Sequence, residues 1–272
     1  MRIKIFLIIF LIVSAGTLMA GHDIVPGGGK SAAMSGASVT NRDLWSAFNN
    51  QAGLADVRHI AAGLIYENKF LLKELSTKAG AFALPVNKGT FALSFYQYGF
   101  NLYNENKVGL AYAMPLSERF SAAVQLDYLL TQLAENYGRK GLFTFEVGLL
   151  AKINHKWYMG AQIYNPARVK LTSDVEERIP SYIRFGTNYM FNENVNLVVE
   201  AEKDLQNKPM FRAGIDYQMV KNVYVRAGAG TNPSVFSFGF GVNMKNFKVD
   251  FGTSKHTVLG YSPALSLMYS FE

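Results

Sequence analysis

Cysteine is absent from this chain of 272 residues, so neither a disulfide nor thiolate chemistry is available to it. Ionised residues are scarce, 17% against about 25% in an average soluble domain. The four histidines, His22, His59, His155 and His256, are dispersed, and no two stand at metal-ligand spacing. There is no Ser-centred nucleophile elbow. Gly27-Gly28-Gly29-Lys30 lacks the spacing and the apolar helix start of a phosphate-binding loop. These absences point away from an enzyme: no catalytic, cofactor-binding or metal residue is assigned, and no cofactor is expected. The formal charge of +7 is spread thinly, without a basic cluster, so nucleic acid is not an expected partner.

Long apolar runs are missing as well. Ile5 to Val13 is unbroken for nine residues, far short of the roughly 20 that a spanning helix needs. Arg2 and Lys4 precede this run, and Ser14, Ala15, Gly16, Ala20 and Gly21 follow it. That order of basic start, short apolar stretch and small residues is a secretory signal peptide. Residues 1–20 are therefore expected to be removed, with cleavage between Gly16 and Gly21 after Sec-type export. No other segment is long enough to cross a bilayer as a helix, which excludes a helical membrane protein.

What the chain does have is aromatic residues, 14%, and 24 glycines. From about Val57 onward, short alternating segments are separated by turn residues. Leu265, Leu267, Tyr269 and Phe271 share one phase of the last segment, with only Glu272 after it; Phe236, Phe238, Phe240 and Val242 do the same in an earlier one. Period two places successive side chains in two different environments. The charges choose their phase: Asp127, Glu146, Arg184, Glu200, Glu202, Arg212, Asp216, Arg226, Lys248 and Asp250 all oppose the aromatic phase. On a lipid-facing surface near the midplane an Arg or Lys costs about 2–4 kcal/mol. A soluble sandwich would alternate in the same way, so connection lengths have to decide.

Strands are predicted near 57–66, 75–84, 89–98, 107–115, 119–130, 142–152, 156–164, 182–191, 195–203, 209–219, 223–231, 234–243, 246–252 and 263–271. Every second connection is tight, as at Asn87-Lys88, Lys221-Asn222 and Lys245-Asn246. The others are mostly longer, among them Asn68–Glu74, Gly99–Asn106, Thr131–Gly141, Asn165–Ser181, Lys203–Lys208 and Thr253–Ser262. Short turns on one rim and long loops on the other describe an outer-membrane barrel. The expected fold is all-β: a transmembrane antiparallel β-barrel of about 14 strands over residues 57–272, both termini on the periplasmic rim.

A barrel of that size exceeds what its own side chains fill, since about eight strands suffice for that. Inward-phase glycines (Gly148, Gly160, Gly186, Gly214, Gly228, Gly239, Gly241) add further room. Residues 21–56 are the candidate plug, with Asp43 to Leu54 expected as a short helix carrying Leu44, Trp45, Phe48 and Leu54. The candidate lumen charges are Arg184, Glu200, Arg212, Asp216, Arg226, Lys248 and Asp250; charges of both signs can pair there, for example Arg212 with Asp216 or Lys248 with Asp250, but the sequence does not fix the partners.

The plug segment also carries a resemblance. Met34, Gly36, Ala37, Asp43 and Phe48-Asn49-Asn50-Gln51-Ala52-Gly53-Leu54-Ala55 are similar to an N-terminal stretch of the long-chain fatty-acid transporter (FadL) superfamily, including its PorV/PorQ family of Bacteroidota. Within it Met34, Gly36, Asp43, Trp45, Phe48, Asn50, Ala52, Gly53 and Leu54 form the candidate hatch motif. Asn49 and Gln51 depart from the aromatic and proline of the family pattern. Ile179-Pro180-Ser181-Tyr182-Ile183-Arg184-Phe185-Gly186 and Phe211-Arg212-Ala213-Gly214-Ile215-Asp216-Tyr217 resemble later family segments. The resemblance implies a 14-stranded outer-membrane barrel with an N-terminal hatch. It implies transport of a small hydrophobic compound or a part in protein export, or else a scaffold subunit of a secretion complex such as the type IX system. Expected partners are outer-membrane lipid, the barrel-assembly machinery, and either an apolar ligand or a secretion-complex subunit.

Overall fold

The computed structural model of the chain describes residues 27–133, 138–169, 179–205 and 207–271. The expected signal peptide lies outside these residues. Fourteen strands follow one another: β1 (Ile60–Asn68), β2 (Ser76–Val86), β3 (Gly89–Phe100), β4 (Tyr103–Pro115), β5 (Phe120–Leu133), β6 (Arg139–Lys152), β7 (Trp157–Tyr164), β8 (Tyr182–Met190), β9 (Val195–Asp204), β10 (Met210–Val220), β11 (Val223–Gly230), β12 (Val235–Met244), β13 (Phe247–His256) and β14 (Gly260–Phe271). Each pairs antiparallel with its neighbours in sequence, and β14 pairs with β1 from Ile60↔Phe271 to Glu67↔Ala264, closing the barrel. Closure leaves no edge with unpaired backbone groups, which is what lets a sheet stand in hydrocarbon.

The two phases of the strands are two environments. Outward stand Leu64, Phe91, Leu126, Phe143, Phe185, Phe211 and Phe238, each exposed. Inward stand Gln125, Asp127, Glu146, Arg184, Glu200, Arg226 and Asp250, each buried. Outward Tyr66, Tyr128 and Tyr261 lie toward one rim, and Tyr112, Trp157, Tyr189 and Tyr269 toward the other. Two girdles of amphipathic rings suit the two interfaces of a bilayer.

Three expectations about the connections need correction. The expected long loop Gly99–Asn106 is a two-residue turn, because β3 and β4 stay paired out to Phe100↔Tyr103. Thr131–Gly141 and Thr253–Ser262 contract in the same way, with pairing out to Gln132↔Arg139 and His256↔Gly260. Polar rim residues such as Asn104 and Ser254 do not end a ladder, since a strand gains backbone hydrogen bonds wherever a partner is present. Most of the expected loop Asn165–Ser181 (residues 170–178) lies outside the described residues; with the contracted connections, the two rims differ less than the sequence suggests. The first strand begins at Ile60, not at Val57.

Residues 27–57 fill the barrel. A six-residue helix, α1 (Gly28–Ala33), was not anticipated. Two 3-10 helices, Leu44–Phe48 and Gln51–Asp56, replace the single helix expected there. The break follows from the caps: the Asp43 side chain accepts from the Trp45 N–H, and the Asn50 side chain from the Ala52 N–H. A second cap in mid-segment starts a new helix instead of extending the first.

Candidate functional site

The site is the seat of the plug, and it has two unlike walls. On β1–β5 the inward phase is largely alanine: Ala61, Ala79, Ala81, Ala83, Ala92, Ala111, Ala113 and Ala123 are buried there. Leu44, Trp45, Phe48, Ala52 and Leu54 of the plug pack on this face. Trp45 is 1% exposed and stacks near Phe48, ring centroids 6.5 Å apart. Small inward residues leave the depth that these large side chains fill, and burying one of them contributes roughly 1.5–3 kcal/mol.

The opposite wall, β6–β14, is built from glycine and charge. A Cβ at Gly160 would meet the Val39 backbone, one at Gly186 the Val39 side chain, and one at Gly214 or Gly228 would meet Met34. The inward glycines are thus points of backbone-close contact with the plug. Between them, polar groups hold it. Glu200 accepts the backbone N–H groups of Ser38 and Val39, both at 2.8 Å. Arg184 donates to Gly36 O at 3.1 Å, Ser38 Oγ at 2.9 Å and Asn49 Oδ1 at 3.1 Å. Asn50 Nδ2 donates to Val39 O and to Leu149 O of the wall, each at 2.8 Å. The Gly29 N–H reaches Ser266 Oγ at 2.9 Å.

The candidate lumen charges come together, though not in the pairs read along the strands. Arg212 meets Glu200 and Glu202, each at 2.8 Å, and not Asp216. Asp216 instead joins Arg226 at 2.8 Å, and Arg226 also holds Asp250 at 2.7 Å. Lys248 reaches Asp43 of the plug at 3.1 Å, and not Asp250. The reason is geometric: along a strand Lys248 and Asp250 stand about 7 Å apart and Arg212 and Asp216 about 13 Å, whereas cross-strand neighbours stand about 5 Å apart. Arg226, for instance, lies directly opposite Asp216 in the β10–β11 register.

The structure places every candidate hatch residue inside the barrel. Met34 touches β10 and β11, Trp45 and Phe48 the alanine wall, Asn50 links plug to β6, and Asp43 caps a helix while binding Lys248. Gly53 passes so near Asn41 O that no side chain fits there. Met34, Ala52 and Leu54 are fully buried.

Several contributors went unread in the sequence. Lys107 of β4 binds Glu146 and lies 3.3 Å from Asp127. Gln51 and Gln162 donate to Glu146 at 2.8 and 2.6 Å. Lys107 stands in the same inward phase as Glu105, opposite Val108 and Leu110, so the phase rule would have found it. Toward the outer rim Leu129, Tyr164, Ile179 and Tyr182 form an apolar layer above these charges, with Tyr164 and Tyr182 stacked at 4.9 Å. The plug leaves a cavity of about 160 Å³ lined by Ala32, Ser35, Gly36, Asn49, Glu67, Arg184, Arg212, Val235 and Ser254.

No family model and no curated protein sequence matches the chain. Solved structures do. The toluene transporter TbuX of Ralstonia pickettii superposes with a TM-score of 0.69 at 11% identity, over 94% of this chain and 100% of that one. A Pseudomonas aeruginosa FadL homologue gives 0.68 at 13%, over 93% and 100%. The Pseudomonas putida toluene transporter TodX gives 0.68 at 10%, over 93% and 99%. At these identities the likeness is one of fold: the chain has the fold of FadL-type barrels.

Proposed function

We propose that this chain is a non-enzymatic outer-membrane barrel that passes a small hydrophobic compound, gated by its N-terminal plug. The observation that carries this reading is a 14-stranded closed barrel whose interior is filled by its own residues 27–57, in the fold of barrels described as toluene transporters. The cavity of about 160 Å³ beside Arg184 and Arg212 is smaller than the roughly 300–1,000 Å³ of a typical ligand site, and a larger one of about 490 Å³ lies against Arg42 and Asp56 of the plug. A compound passes, on this reading, when the plug shifts. In this reading residues 1–20 direct Sec-type export, the barrel-assembly machinery inserts the mature chain, and the protein is a divergent PorV/PorQ-like member of the FadL-type superfamily.

The test is uptake of a labelled monoaromatic compound by proteoliposomes. Uptake should depend on the protein and should change when residues 34–54 are removed. Protein-dependent uptake that is the same with and without the plug would overturn the gating role.

A second reading, docking to a secretion complex such as the type IX system, is favoured by one observation. The hairpin tips at the outer rim expose apolar side chains: Leu71 and Leu72 after β1, Leu102 after β3, and Val258 and Leu259 after β13, with Val258 83% exposed. Such a patch in water suits a protein partner. Co-purification of a secretion subunit, lost in L71S/L72S/V258S and accompanied by no uptake activity, would favour docking over transport.

A further inference from the structure

Ionised side chains are almost absent from the outward phase of the barrel, and the exceptions are all of one sign. Among the described strand residues, only Lys78 on β2, Arg139 on β6, Lys203 on β9 and Lys255 on β13 carry charge outward. No aspartate or glutamate does. Each stands within three residues of the end of its strand that is farther from the chain termini: Arg139 begins β6, Lys78 is third in β2, and Lys203 and Lys255 are next to last in β9 and β13. All four are exposed, and none has a carboxylate of the described residues within ion-pair distance; the Lys203 ammonium donates to the backbone oxygens of Asp204 and Asn207 at 2.6 and 2.7 Å and keeps one N–H for a further acceptor. Lys255 lies over the ring of outward-facing Tyr261, 5.6 Å from its centroid, at the level of the outer aromatic girdle. Turns at both rims carry charges of both signs, Lys69, Lys73 and Glu74 after β1 at this rim and Lys88, Lys156, Lys221, Glu118 and Glu193 at the other; what distinguishes this rim is the cations on the outward phase of its strands.

The spacing around the barrel narrows the partner. Counted around the closed ring of strands, successive cations are four, three, four and three strands apart. At about 4.8 Å per strand, neighbouring cations are roughly 15–20 Å apart along the girth. No pocket gathers them, so they do not converge on one small anion. An even annulus of long cationic side chains just below one rim, each able to extend its head to the interface, matches a planar layer of phosphates.

We infer that this belt binds the phosphate groups of the phosphorylated glycolipid of the outer leaflet. The inference rests on the outer-membrane reading above, which puts the rim opposite the termini in that leaflet. Lysine and arginine form charge-assisted hydrogen bonds to phosphate, and each cation near an anionic lipid surface strengthens association about fivefold. The belt thereby fixes the height and tilt of the barrel independently of the plug.

The experiment uses the full-length mature protein, reconstituted in neutral phosphatidylcholine discs doped with labelled lipid A. Lipid retained after detergent extraction and size exclusion is measured. Wild type should retain bis-phosphorylated lipid A, and single variants such as K255Q should bind it about fivefold more weakly. K78Q/R139Q/K203Q/K255Q should retain almost none, and dephosphorylated lipid A should not be retained by either protein. Equal retention by wild type and the quadruple variant would overturn the inference. So would equal retention of phosphatidylglycerol, or an equal loss in the turn variant K88Q/K221Q/K245Q. A protein that inserts and supports uptake but ignores lipid A defeats this inference alone. One that fails to insert into any disc defeats the barrel reading first.

Discussion

The guanidinium of Arg184 and the carboxylate of Glu200 meet at 2.8 Å with both side chains buried, and together they bind the plug between Gly36 and Val39. Each charge serves wall and plug at once. Removing Glu200 takes a carboxylate from Arg184 and Arg212 together and leaves both to Glu202, 3.5 Å from Arg184 and 2.8 Å from Arg212; breaking a buried pair in this way costs up to about 3–5 kcal/mol. In E200A the plug should loosen while the strands keep their pairing. Hydrogen exchange is the measurement: amides of residues 34–50 should exchange 100-fold or more faster, with β-strand protection unchanged. Uniform loss of protection would mean that the pair holds the barrel itself.

Gly160 permits the closest wall contact with Val39, and a Cβ there would run into the Val39 carbonyl. G160L adds four carbons against plug backbone, which cannot yield as a flexible side chain does. The barrel wall has no such conflict, because an inward leucine is compatible with the strand. Expected results are protease cleavage within residues 34–50 and higher single-channel conductance in planar bilayers. Intact protease resistance with unchanged conductance would show that the plug does not need this contact.

Acid should release the plug through Asp43. Burial pushes its carboxyl pKa up, but Lys248 and Lys30 outweigh that and hold it below its ordinary value of 3.8. A carboxylate depressed on seating stabilises the seated state above its free pKa, and that contribution is lost as pH falls through the lower, seated value. Trp45 reports on this, because the chain has two tryptophans and the other, Trp157, faces outward. In a W157F background, Trp45 emission should stay blue-shifted down to about pH 4 and shift red below it. D43N should weaken seating already at neutral pH and flatten that acid transition. An unchanged acid transition in D43N would assign it to other carboxylates.

Much of this was legible in the sequence, for a physical reason. A barrel wall separates hydrocarbon from lumen, so phase alone sorts Phe238 from Gly239 and Phe185 from Arg184. All 14 strands follow from that sorting and from turn residues. Pairing across strands was not legible, because it depends on register: Arg226 finds Asp216 through the β10–β11 ladder, not through distance along the chain. The alanine wall escaped notice because alanine is neither strongly apolar nor polar, and its role is the space it leaves for Trp45 and Phe48. The split of the plug helix was readable in principle, since Asn50 is a capping residue in mid-segment.

The sidedness of the wall yields the most direct test. Leu126 lies midway along β5, faces outward and is 54% exposed, while its neighbour Asp127 is fully buried inside. If the outer face meets hydrocarbon, L126R places a cation at the bilayer midplane at a cost of about 2–4 kcal/mol. On a face meeting water the same change would cost within about 0.5 kcal/mol, as surface substitutions usually do. Urea unfolding in phospholipid vesicles distinguishes these cases through the midpoint at constant slope. L126A serves as a size control, since it removes packing without adding charge. A large destabilisation in L126R beyond that of L126A requires lipid on this face. Equal midpoints for the two variants would place the aromatic surface in water and remove the physical basis for a membrane-spanning barrel.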